Sequence, residues 1–146
     1  LEVAEEGQVS IGTLVQETGI RAEIWQMLAR QGHLSYSVKI NDTPDVVDER
    51  QAQVIAARLT AARQAVASQG IIASEAYDKY GFSPSMLLRW YRDGWIKSVG
   101  KSEKYGARLY DEGDIAMAKA LADIIGHKTG RSVFPAKPRS GRPRKQ

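Results

Sequence analysis

Residues 81–95 read GFSPSMLLRWYRDGW, and every punctuation mark of a short helix is present in them. The Ser83 hydroxyl can cap a helix, Pro84 fits the first helical position where no N–H is needed, and Gly94 suits a left-handed stop. On such a helix Leu87, Trp90 and Tyr91 fall three and four residues apart and share one face. Ser85, Leu88, Arg89 and Arg92 lie largely on the other. One side is built for a core. On this stretch alone, the other side is explained equally well by a binding surface or by two solvated arginines.

Working outward, residues 96–99 and 107–110 flank a Gly- and Lys-rich loop and predict a β-hairpin. Asp111-Glu112-Gly113-Asp114 supplies a cap and first-turn dipole partners for an apolar helix over 115–125, which Gly126 stops. Upstream, 74–80 predicts a short helix with Ala76 and Tyr77 inward, and Gly81 makes the turn. Helix, turn, helix, hairpin, helix is the order of a winged helix-turn-helix. The run LLRWYRDGWIK at 87–97, followed by ARLYDEGDI at 107–115, resembles the MerR and phage excisionase superfamily of winged DNA-binding domains over about residues 71–126. That resemblance implies a helix over 84–93 in the major groove, with Ser85 and Arg89 at base edges, Leu88 at a thymine methyl and Arg92 on phosphate. Lys101, Lys104 and Arg108 of the hairpin then hold the backbone. Such contacts position, whereas the base contacts specify.

The same grammar occurs earlier in the chain. Residues 9–34 read VSIGTLVQETGIRAEIWQMLARQGHL, and an offset of 62 pairs Gly19 with Gly81, Ile20 with Phe82, Arg30 with Arg92, Gly32 with Gly94 and Leu34 with Ile96. The inward positions Trp25, Leu28 and Ala29 match Leu87, Trp90 and Tyr91 in kind. The outward set differs: Glu23, Gln26, Met27 and Arg30 replace Ser85, Leu88, Arg89 and Arg92. A second hairpin runs from 36–40 through the turn 41–45 to Val46-Val47. Asp48-Glu49 then opens a helix to about Gln69, closed by Gly70. Its stripe of Ile55, Leu59, Ala62 and Val66 can pack on its own repeat and bridge to the second, or pair with a partner helix. In this first repeat the candidate DNA contacts are Arg21, Gln26 and Arg30.

Charge is unevenly spread. Residues 1–70 carry six Lys/Arg against nine Asp/Glu, residues 71–126 carry eight of each, and residues 127–146 carry seven Lys/Arg and no acid, so the net +4 resides in the tail. The first half is therefore not drawn to nucleic acid by bulk attraction. The last twenty residues hold too little apolar content to pack and are expected to form a disordered basic tail. Within them PRSGRPRK at 138–145 resembles an AT-hook, which implies minor-groove contacts from Arg139, Arg142, Arg144 and Lys145. A generic basic tail is the plainer alternative. Either adds affinity by releasing counterions.

Other chemistry is sparse. The chain has no Cys, and its two His, His33 and His127, stand alone; no disulfide, thiolate site or zinc site follows from them. No phosphate loop or nucleophile–base spacing occurs, so neither an enzyme nor a cofactor is expected. No apolar run suits a membrane span, and a cytoplasmic, nucleoid-associated protein is the default.

The expectation is a mainly α chain with short β-hairpin wings: a flexible 1–8, two tandem winged helix-turn-helix domains over 9–70 and 71–126, and the tail over 127–146. Its partner is double-stranded DNA, with a second copy or a protein partner engaging the first repeat or the 48–69 helix. A transcriptional regulator or an excisionase-like architectural factor fits. A protein-interaction module, the DNA-targeting part of a recombinase, or a segregation or replication component is the alternative.

Overall fold

The computed structural model describes residues 7–38, 43–67, 69–103, 106–126 and 133–135. Helices dominate the described residues, accompanied by two small antiparallel sheets. The first half runs β1 (Gln8–Ser10), α1 (Ile11–Thr18), α2 (Ala22–Arg30), β2 (Tyr36–Val38), β3 (Pro44–Asp48) and α3 (Glu49–Ala65). The second runs β4 (Gly70–Ile71), α4 (Ala73–Tyr80), α5 (Pro84–Arg92), β5 (Ser98–Lys101), β6 (Arg108–Asp111) and α6 (Glu112–Ile125). Strand orders are β1-β3-β2 and β4-β6-β5, so each half has its last strand in the middle. The paired helices α1–α2 and α4–α5 begin and end 62 residues apart.

Local chemistry explains these limits. Ser10 caps α1 by accepting from the Thr13 N–H at 3.1 Å, and Ser83 caps α5 by accepting from the Met86 N–H at 3.2 Å. Gly19 and Gly81 end α1 and α4 at φ +74° and +83°, where an L side chain is strained. After α5 the Trp95 N–H reaches the Trp90 carbonyl and the Gly94 N–H reaches that of Tyr91; after α2, His33 and Gly32 do the same to Leu28 and Ala29. Both helices thus close with a six-to-one and a five-to-two bond around a glycine. Asp48 and Asp111 cap α3 and α6 by accepting from the Gln51 and Gly113 N–H groups, both at 2.9 Å.

One hydrophobic interior runs through both halves. Trp25, Leu28 and Leu59 of the first half and Leu87, Trp90, Ile115 and Leu121 of the second are all buried. At its centre lies α6, buried at every residue from Asp111 to Ala118 because α3 and α4 both pack on it.

Several expectations are corrected. Gln8, assigned to a fraying N-terminus, pairs with Asp48 in β1. Each hairpin gains a third strand; β1 and β4 are too short to show a period of two in the sequence. α3 stops at Ala65, because Gly70 is drawn into β4 opposite Asp111. A Cβ on Gly70 would lie 3.1–3.3 Å from Val99 and Leu109, so a side chain here would crowd both of these neighbours. Tyr77, read as inward, is 54% exposed; Ala76 is the buried residue of α4, with Ala73 and Tyr80 packed partly against the core. The Ile55–Leu59 side of α3 is buried and α3 packs along α6 within the chain. Last, 127–146 is not wholly an unpacked tail: Val133 and Phe134 are 0% and 3% exposed, since two adjacent apolar side chains suffice to fill a slot beside Trp90 and Trp95.

Candidate nucleic-acid interface

α5 separates its two faces as its sequence dictates. Leu87 and Trp90 are buried, Tyr91 and Leu88 are half-buried, and Ser85, Arg89 and Arg92 are exposed. Arg89 and Arg92 form no ion pair among the described residues. No acid occupies the first turn of α5, so the positive pole of the helix is not neutralised from within. The Ser85 and Ser83 hydroxyl oxygens lie 3.3 Å apart, which keeps Ser85 beside the cap.

The neighbouring hairpin adds cations. Lys101 lies directly opposite Arg108 in the β5–β6 register, and Lys101 is exposed. Like charges facing each other across strands repel, so this pair detracts from stability unless an anion lies between or beside them. Arg108 stacks at 4.3 Å over the Tyr91 ring, which in turn meets Tyr110 edge-on at 6.0 Å. That stack ties the hairpin to α5. Lys104 lies outside the described residues, as do Arg139, Arg142, Arg144 and Lys145.

α2 presents a different surface. Glu23 is exposed in its first turn, Gln26 is half-buried beside a 370 Å³ hollow with Thr43, Pro44 and Asp45, and Arg30 is exposed in its last turn. Arg21 is exposed and also reaches the second half. Its Nη2 donates to the Gly94 carbonyl at 2.9 Å, and its guanidinium covers the Trp95 ring at 4.5 Å.

A buried acidic corner lies at the start of α6. Asp111, Glu112 and Asp114 are 7%, 5% and 4% exposed, far more buried than simple dipole partners of a helix start. Each meets a cation: Glu112 meets Lys79, Asp111 meets Lys97 at 3.0 Å, and Asp114 meets Arg63 at 3.3 Å. The Tyr80 hydroxyl also donates to Glu112 at 2.6 Å. Burial pushes the Glu112 carboxyl up, but hydrogen bonds from Lys79 and Tyr80 and the Lys79 charge outweigh it and hold the group below its ordinary value. Burial, then the bond to Glu112, pushes the Tyr80 phenol up. The hydrogen bond to Asp111, then the Asp114 charge, raises the Lys97 ammonium. Arg63, Lys79, Tyr80, Lys97 and Phe134 were not singled out from the sequence, because each acts through a partner distant in the chain. The only local signal was the dense run of acids at 111–114, more than one cap needs.

No protein-family model, curated protein or solved structure matches the chain.

Proposed function

We propose that the protein binds duplex DNA through its second half, as a winged helix-turn-helix with α5 in the major groove and the β5–β6 hairpin along the backbone. The observation that carries this reading is the exposed row Ser85, Arg89 and Arg92 on a capped helix beside the facing pair Lys101 and Arg108. Neither arginine of the row is consumed by an ion pair among the described residues, and the facing cations gain stability from an anionic partner. In this arrangement Arg89 and Ser85 read base edges, Leu88 meets a thymine methyl, and Arg92, Lys101 and Arg108 hold phosphates. The repeated order of elements supports reading the first half as a second module of the same kind. Its outward face, with Glu23 in the place of Ser85, suits it poorly for phosphate. A site-marking or regulatory role follows, in the manner of a transcriptional regulator or an architectural factor.

Selection of bound sequences from random duplexes tests the reading. A recovered motif whose preference relaxes at one base pair in Arg89→Ala supports it. Recovery of no duplex at low salt removes it.

A further inference from the structure

We propose that Arg21 is a positioning residue for the DNA-binding surface: from the first half it clamps the connection between α5 and β5, so that the acidic half serves the second as a brace. The inference rests on the DNA-binding reading above, and it gives the first half a task other than contacting DNA.

The connection is residues 93–97, and the first half holds its start directly and its far end through Asp114. At its start, Arg21 Nη2 donates to the Gly94 carbonyl at 2.9 Å while the guanidinium covers Trp95 at 4.5 Å. A cation at that carbonyl also complements the negative pole of α5. A glycine is favoured there by backbone conformation, and Gly94 lies close under the Arg21 tip. Its φ is +85°, and a Cβ would lie 3.1 Å from Arg21 Nη2. At the far end the Lys97 N–H donates to Asp114 Oδ2 at 3.0 Å, and Asp114 is held by Arg63 at 3.3 Å. Arg21 opens α2 and Arg63 lies in the last turn of α3. One arginine of the acidic half thus holds the connection directly, and a second holds the carboxylate that anchors its far end.

Nothing about Arg21's own helix explains its placement. It occupies the capping position of α2 but makes no side-chain capping bond. The side chain instead spans the cleft of about 200 Å³ between the halves, lined also by Ile20, Ile24 and Met117. Phe134 completes the grip by stacking on Trp95 at 4.9 Å with an interplanar angle of 2°. The turn so held sets the angle between the α5 face and the hairpin. Both must meet one duplex together, and small errors in such an angle separate base contacts from phosphate contacts.

The experiment compares the full chain with Arg21→Ala and Arg21→Lys. Positioning predicts that both variants lose discrimination between the selected site and random duplex by about 3- to 30-fold, because lysine supplies the charge but neither the flat stack nor the planar fork. The slope of log affinity against log salt stays unchanged, since no phosphate contact is lost. A direct phosphate contact predicts the opposite: Arg21→Ala weakens all sequences alike and flattens the slope by about 0.9, and Arg21→Lys restores most of the affinity. That outcome overturns the proposal. Amide exchange without DNA provides an independent reading. Faster exchange at Trp95 and Lys97 in Arg21→Ala is expected, and unchanged exchange there overturns the clamp. If the unmodified chain binds no duplex, the DNA-binding reading fails, whereas the exchange result still decides whether Arg21 holds the turn.

Discussion

α2 and α5 are both nine residues long, begin 62 positions apart and close with the same pair of bonds around a glycine, yet they turn different chemistry to solvent. α2 places Glu23 in its first turn and gives Arg21 away to the other half. α5 starts on Ser83 and Pro84 with no acid near its positive pole and keeps Arg89 and Arg92 free of ion pairs among the described residues. The difference teaches that the fold constrains the inward positions, Leu28 and Trp90 among them, and leaves the outward ones to be spent on binding or on bracing.

The comparison breaks most visibly in the core. Trp90→Ala should destabilise the chain by about 3–5 kcal/mol and its counterpart Leu28→Ala by about 2–5 kcal/mol, measured by denaturant unfolding. Since a single interior links the halves, both variants should still unfold in one calorimetric transition. Two separated transitions would show that each half is its own folding unit, and the brace would lose its physical basis.

Next in size is the ion pair that crosses the seam. Asp114→Ala leaves Arg63 without its carboxylate and the Lys97 N–H without its acceptor, and should cost about 1.5–3 kcal/mol by the same measurement. An equal loss in an Arg63→Ala, Asp114→Ala double variant would show that the two act as a unit.

The outward faces are compared by binding. Arg89→Ala should cost about 1–3 kcal/mol on the selected site and relax one base pair. Arg30→Ala, at the end of α2, should leave affinity and preference unchanged. Equal losses from both variants would make the halves equivalent readers.

The smallest effect is on pH dependence. Glu112 titrates below its ordinary value in the fold, so its contribution is present above the ordinary carboxyl range and is lost as pH falls through the lowered value. Tyr80 and Lys97 titrate above theirs, so their contribution is present below about pH 10 and is lost as pH rises further. Melts of Glu112→Gln against pH should show a shallower acid limb than the unmodified chain. A superimposable limb would remove Glu112 from that account.

Much of this architecture was legible because local signals carried it. Ser83, Pro84 and Gly94 mark the ends of α5 without help from distant residues, and Leu87 and Trp90 declare its inner side by spacing. The strands β1 and β4 were not legible, since three and two residues carry no pattern and pair only through β3 and β6. Tyr77 misled because the inner face of α4 follows Ala73, Ala76 and Tyr80 at helical spacing, which leaves Tyr77 outside it. Arg21 was named only as a candidate DNA contact, because its partners Gly94 and Trp95 lie 73 and 74 positions later in the chain. Val133 and Phe134 were outweighed by the basic residues around them, although two apolar side chains are enough to dock when an aromatic slot is waiting.

That docking also defines a length. Phe134 is fixed against Trp90 and Trp95, so the chain beyond Pro135 departs from a known point on the second half. Fully extended, the ten residues 136–145 with a long side chain at the end reach at most ~40–43 Å. Every contact made by Arg139, Arg142, Arg144 or Lys145 must therefore fall inside a sphere of that radius. On a duplex this is about one helical turn to either side. Phe134 thus acts as a mooring, and whatever these four side chains grasp must already lie near the second half.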